Sequence, residues 1–171
     1  VSKKIQDKLQ VPIQGWFAQG AQFEMGPQFE RAQGIRGFQI ASPSIMGIRC
    51  VRTAFSMIQE AGIDAIAQKA AIGTQMMIGL FDAWLAPLGL ELNTSRLPEE
   101  RGGHISLVHP DAAQICIALR QISNVIPDYR TPNSIRCAIS PLPSSYVEVL
   151  DCFARMSDLV ASGRYKEVKE G

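Results

Sequence analysis

HISLVHPDAAQICIALRQISNVIPDYRTPNSIRCAIS, residues 104–140, decides the fold class. His104 to His109 alternates polar and apolar side chains and reads as a strand with one face buried. Pro110-Asp111 opens a helix that runs to about Ile122. Val125-Ile126 reads as a short strand and Asp128 to Asn133, with Pro132, as a turn. Ser134 to Ser140 is a second alternating strand, with Ile135, Cys137 and Ile139 on one face and Arg136, Ala138 and Ser140 on the other.

Outward from that core, Leu90 to Thr94 reads as a further strand, and Ser95 to Gly103 as a polar, charged loop. Three helices flank the strands. The first opens at Ser42-Pro43, a hydroxyl cap followed by a proline, and runs to about Ala61, where Gly62 ends it. Ile45, Ile48, Val51, Phe55 and Ile58 recur at three and four, so one face is expected to be buried. The second runs from Asp64 to about Ala86 with Ile66, Ala70, Met77, Leu80, Phe81 and Trp84 on its apolar side, and Pro87 and Gly89 stop it. The last starts at Ser144 or Ser145 and carries Val149, Leu150, Phe153, Met156 and Leu159 inward. Residues 162–171 are charged and are expected to fray. This order gives an α/β (α+β) domain over residues 45–171, a small, mostly antiparallel sheet with helices packed on one face.

Residues 1–14 read as the tail of an amphipathic helix interrupted at Pro12. Residues 15–41 are irregular. The stretch from Gly15 to Gly47 holds six of the 14 glycines and five of the 12 aromatic residues. So long an irregular segment is expected to line a site or an interface. Residues 1–44 are therefore assigned to a separate segment, which together with Arg136 reads as part of a cofactor site.

Apolar residues make up 46% and charged residues 19% of the 171, with a formal net charge of +1, an ordinary globular balance. Residues 1–44 carry five basic and three acidic side chains and the remainder twelve and thirteen. Neither part has the basic field that a phosphate backbone requires, so nucleic acid is not expected as a partner. The apolar run from Ala70 to Leu92 is interrupted by Gln75, Asp82, Pro87 and Glu91, which argues against a membrane span. Cys50, Cys116, Cys137 and Cys152 lack CxxC spacing and read as four free, buried thiols in a reducing cytosol. His104 and His109 fall on opposite strand faces and share no metal ion, and no metal is expected. No GxxxxGK[ST], GxGxxG or GxSxG motif is present.

Three residues carry candidate chemistry, each with two readings. Arg136 is either a solvated arginine on an open sheet face or a guanidinium fork for a carboxylate. Trp16 is either core or an indole N–H donor for a phosphate oxygen. Ser42 caps a helix, and the same N-terminus can take an anion.

At these residues the chain resembles the kynureninases, pyridoxal-phosphate enzymes of the aspartate-aminotransferase fold family. The resemblance rests on Pro12-Ile13-Gln14-Gly15-Trp16-Phe17, Phe23-x-Met25, Gly34-Ile35-Arg36-Gly37-Phe38, Ala41-Ser42-Pro43-Ser44, Arg101-Gly102, Asp128-x-Arg130-x-Pro132-Asn133, Ile135-Arg136 and Pro141-Leu142, in family order. It covers nearly the whole chain but only the C-terminal part of the family's sequence. It implies the end of the large cofactor-binding domain, with its dimer-interface segment, over residues 1–44 and the small domain over residues 45–171 of a fold-type I enzyme, homodimeric and cytoplasmic, with pyridoxal 5′-phosphate as cofactor. Trp16 would donate to the cofactor phosphate, Ser42 would reach the phosphate of the neighbouring subunit or the substrate, Phe17 would line the substrate pocket and Arg136 would hold the substrate's α-carboxylate. The implied reaction is hydrolysis of the Cβ–Cγ bond of L-kynurenine or 3-hydroxykynurenine to an anthranilate and L-alanine, a step of tryptophan catabolism. Ser42 stands for the family's Thr or Asn and Pro143 for its Tyr, which leaves the substrate ring open. Lys3, Lys4 and Lys8 do not stand in the cofactor-lysine motif, so no catalytic residue is assigned and the chain alone is expected to be inactive, its large domain lying upstream or on a partner chain. The alternatives are a non-catalytic binding or assembly module of the same fold and a paralogous pyridoxal-phosphate lyase.

Overall fold

A computed structural model describes residues 1–24 and 26–168. Met25, part of the Phe23-x-Met25 match, and residues 169–171 of the charged tail lie outside the described residues. The chain divides into two compact units, Val1–Met57 and Ile58–Gly171.

The C-terminal unit is built on a four-stranded, wholly antiparallel sheet. Its strands are β1 (Glu91–Leu92), β2 (His104–Val108), β3 (Asp128–Arg130) and β4 (Ser134–Ala138), in spatial order β1-β2-β4-β3. In β2 and β4 the alternation is realised as read: Ile105, Leu107, Ile135 and Cys137 are buried, while Arg136 and Ser106 pair on the opposite face. The short helix α1 (Lys3–Gln6) and α2 (Ile45–Ala61) precede α3 (Ile63–Leu80), α4 (Ala112–Ile122) and α5 (Tyr146–Ser162). Helices α3 and α4 cover the apolar face of the sheet, and α5 packs on both. Phe153, Leu119, Ile115 and Leu85 fill the space between them without solvent exposure. A helical fold on one face of a small antiparallel sheet is thus what the alternation and helix periods dictate.

Several boundaries differ from the sequence reading. Val125-Ile126 is not a strand: Asn124 takes a left-handed φ of 52°, Val125 N–H donates to Leu119 O (3.0 Å), and Ile126 is exposed. The third strand pair of the sheet comes instead from Asp128–Arg130, which pairs with β4 before the turn at residues 131–133, where the Thr131–Pro132 peptide is cis. Helix α3 runs on through a π turn at Phe81–Leu85 and a tight turn at Ala86–Leu88 to Gly89. Leu150 of α5 is 41% exposed rather than inward, while Val149, Phe153, Met156 and Leu159 are buried. Ser145, not Ser144, caps α5: its hydroxyl accepts from Glu148 N–H (3.2 Å) and Glu148 Oε2 accepts from Ser145 N–H (2.7 Å). The segment from Ser162 to Val168 is docked rather than frayed. Tyr165 is buried and donates to Asp111 Oδ2 (3.2 Å), and Gln114 donates to Val168 O (3.1 Å).

In the N-terminal unit the expected helical tail is a single turn. Arg31 takes the carbonyls that this short turn leaves without helical partners, donating to Gln6 O and Leu9 O, both at 2.7 Å. Helix α2 starts at Ile45, and its cap is Ser44, whose hydroxyl accepts from Gly47 N–H (3.2 Å); Ser42 lies two residues upstream and does not cap. The apolar side of α2 is amphipathic as read but not buried. Ile48 is 55%, Val51 53% and Phe55 65% exposed, and no residue of α2 is buried. Gly62, at φ +80°, separates α2 from α3, a conformation open to glycine at little cost.

Candidate functional site

The N-terminal unit places Trp16 and Phe17 in a 3-10 turn, Trp16–Ala18. The turn is reached through Gly15, whose backbone lies against that of Ile40: a Cβ there would sit 1.8 Å from Ile40 O. Only glycine permits that approach, and it pins the stretch leading to Ser42 beside the aromatic turn. Trp16 is 52% exposed, with the rings of Phe17 and Phe23 edge-on to it at 5.6 and 6.0 Å. Its indole Nε1–H donates to Gln22 O (2.6 Å), and Arg36 Nη2 donates to the side-chain oxygen of the same Gln22 (3.4 Å). Phe17 is half-buried and Ser42 is exposed.

Arg36 was not singled out in the sequence. It brings a positive charge to the residue that already holds the indole, and its place in Gly34-Ile35-Arg36-Gly37 was the available signal. An N–H donor, a hydroxyl and a guanidinium suit a phosphate oxygen in type. Trp16 would have to exchange its bond to Gln22 to serve one.

In the C-terminal unit, Arg136 lies on the open sheet face, as the alternation requires, its side chain 38% exposed. The solvated-arginine reading is only half right, because Arg136 Nη2 donates to Asp128 Oδ2 across the β3–β4 pair. Arg130 donates to the same oxygen through Nε (3.1 Å) and Nη2 (2.7 Å). Partial burial works to raise the Asp128 carboxyl, but Arg130 and then Arg136 outweigh it and hold it below the ordinary carboxylate value. Among the described residues only Nη2 of Arg136 is engaged, which leaves most of its fork for a second carboxylate. Beside Arg136 lies a cavity of about 120 Å³ whose walls include Val125, Ile126, Pro127, Val149 and Phe153.

Arg101 turns out to be a fastener. Its Nε donates to buried Thr74 Oγ1 (3.2 Å), Nη2 to Gln75 Oε1 (2.6 Å) and Nη1 to Arg96 O (2.5 Å), which ties the 95–103 loop to α3. Arg96 grips Asp82 bidentately at 2.8 and 2.7 Å.

All four cysteines are free, but, contrary to the sequence reading, Cys152 is only partly buried and Cys50 is exposed, because the α2 face is open. Burial pushes the Cys116 and Cys152 thiols up to about 11 and raises Cys137 further. Among the described residues no group of three or more His, Cys, Asp or Glu side chains could hold a metal, and no helix is long and apolar enough to cross a membrane.

The family described as Kynureninase C-terminal domain matches residues 66–156. The chain is 34% identical over 157 residues to a kynureninase of Geobacillus thermodenitrificans, covering 91% of this chain and 36% of that protein. A kynureninase of Bacillus anthracis is 31% identical, with 91% and 36% covered. One of Shouchella clausii is 33% identical, with 92% and 37% covered. The chain thus spans little more than a third of the length of these curated relatives. In shape it is similar to the apo structure of a cysteine desulfurase from Thermococcus onnurineus, with a TM-score of 0.76 at 14% identity over 95% of this chain and 42% of that one. That likeness concerns the fold.

Proposed function

The chain belongs to the kynureninase family, in which it matches the C-terminal domain, and from that premise we propose that it supplies the substrate-carboxylate grip and part of the phosphate site of a kynureninase-like hydrolase. The reaction would be cleavage of the Cβ–Cγ bond of L-kynurenine or 3-hydroxykynurenine to an anthranilate and L-alanine, in a homodimer of the cytoplasm. The observation that carries the reading is Arg136: a half-buried guanidinium on an open sheet face, steadied through one nitrogen by Asp128.

Each residue then has a physical task. Arg136 binds the α-carboxylate through two parallel N–H···O bonds and so fixes the orientation of the amino acid. Phe17 offers an apolar wall to the substrate. The Trp16 indole N–H, released from Gln22, and the Ser42 hydroxyl donate to phosphate oxygens, with Ser42 serving the neighbouring subunit or the substrate. Pyridoxal 5′-phosphate, when bound, supplies the electron sink that lets the carbon–carbon bond break. Lys3, Lys4 and Lys8 do not stand in the cofactor-lysine motif, so the chain by itself is not expected to turn over kynurenine.

A chimera tests this. The chain would replace the matching segment of the Geobacillus thermodenitrificans kynureninase, and anthranilate release from L-kynurenine would be followed by fluorescence. Turnover is expected, and Arg136→Ala should lower kcat/KM by about a hundredfold or more, the size of a lost bidentate charge-assisted contact. A folded, cofactor-loaded chimera without turnover, or one indifferent to Arg136→Ala, would sink the reading. The exposed apolar side of α2 favours the second reading, an assembly module, in which substitutions on α2 matter and Arg136→Ala does not.

A further inference from the structure

Three charged side chains meet at one carboxylate oxygen on the open face of the sheet. Arg130 reaches Asp128 Oδ2 with two nitrogens and Arg136 with one. The array holds two positive charges and one negative, so its sum is +1. Were Asp128 to face Arg136 alone, that pair would sum to zero, and an incoming anion would meet repulsion from the carboxylate beside attraction from the guanidinium. Arg130 changes that balance. It lies on the edge strand β3, two residues beyond Asp128, and its Cα pairs with Ser134 rather than with Arg136. It therefore addresses the carboxylate of the array, not the Arg136 fork.

We propose that Arg130 is a positioning residue for anion recognition at Arg136: it neutralises Asp128, so that Asp128 orients the guanidinium without cancelling its charge toward an amino-acid carboxylate. The inference rests on the reading that Arg136 grips such a carboxylate. It assigns separate tasks to the three residues. Asp128 aims, Arg130 balances, and Arg136 binds. Because the array is about half exposed, with side-chain accessibilities of 58% for Arg130 and 38% for Arg136, solvent screens it and its effect is moderate.

The test uses the full chain with ¹⁵N-labelled arginine, the Arg136 Nε–H signal being followed by NMR during titration with L-kynurenine. Kynuramine, which lacks the carboxylate, is the control probe. Arg136 should respond to L-kynurenine and not to kynuramine. Arg130→Ala should weaken the response about threefold to fivefold, the size an exposed ion pair carries, and Arg130→Lys should restore most of it. In an Asp128→Asn background, Arg130→Ala should change nothing, because there is no charge left to balance. A merely structural Arg130 would weaken binding in both backgrounds. Unchanged binding in Arg130→Ala, or an effect that persists beside Asp128→Asn, overturns the proposal and leaves the role of Arg136 intact. An Arg136 signal that ignores L-kynurenine, or answers kynuramine equally, overturns the carboxylate reading and this inference with it.

Discussion

Asp128 and Arg136 stand directly opposite each other on the antiparallel strands β3 and β4, and the guanidinium of one donates to the carboxylate of the other. Asp128 also takes Arg130, so its carboxyl titrates below the ordinary value of 3.8 despite partial burial. A carboxylate whose folded pKa is depressed contributes stability that is full above its unfolded value and is lost as pH falls through the folded value. The urea midpoint of the chain should therefore fall below about pH 4, and fall less in Asp128→Asn. Equal acid sensitivity of the two proteins would show that the pair does not survive in solution.

Ser145 and Glu148 form a reciprocal cap on α5. Ser145→Ala should cost about 1 kcal/mol, read from urea denaturation at pH 7. Glu148 also titrates below its ordinary 4.5, first because the Ser145 backbone and hydroxyl bond to it. Its contribution has the same sign as that of Asp128, present at neutral pH and lost in acid.

Phe153 is fully buried among the three helices and the sheet. Truncation to Ala should cost about 3–5 kcal/mol, and Phe153→Leu distinctly less. A loss under 1 kcal/mol on Ala substitution, measured by the same denaturation, would mean that the core is not packed as described.

Thiol chemistry separates the cysteines. Cys50 is exposed, whereas burial keeps Cys116 and Cys152 protonated, with thiols near 11, and Cys137 more so. Native chain at pH 8 should show one fast-reacting thiol with a disulfide reagent, absent in Cys50→Ser, and the other three only in denaturant.

Two glycines should respond oppositely to alanine. At Gly15 the added Cβ runs into the Ile40 backbone, so Gly15→Ala should loosen residues 15–40 and speed their cleavage by trypsin. At Gly79, in α3, nothing lies within 4 Å of the added carbon, and Gly79→Ala should stabilise by about 0.5–1 kcal/mol.

Strands β2 and β4 and helices α4 and α5 were legible because burial on one face leaves a period in the sequence. β3 was not. Asp128-Tyr129-Arg130 lies between Pro127 and Pro132 and reads as turn, yet an edge strand tolerates such neighbours once β4 supplies the ladder. Val125-Ile126 misled in the other direction, since β-branched residues favour strands only where a partner exists. Ser42 was read as the cap because Pro43 suits a first helical position, whereas here Pro43 precedes the actual cap, Ser44.

Among the site residues, the exposed face of Arg136 was readable from alternation, but its partner Asp128, eight positions away, was not. Arg31 left no signal at all. It closes contacts 22 and 25 residues back along the chain, through backbone carbonyls that have no residue identity to read. Periodicity showed that α2 has an apolar side but not what covers it.

That uncovered side also governs how the purified chain behaves in a tube. A helix with one oily flank is a surfactant, and a net charge of +1 gives its copies little mutual repulsion. Dilution, salt and temperature should each shift light scattering from the solution, salt by screening what little repulsion exists and warmth by strengthening the attraction between flanks. The preparation's clarity on cooling thus becomes a readout of a single helix, and Val51→Glu with Phe55→Glu the simplest way to keep it clear.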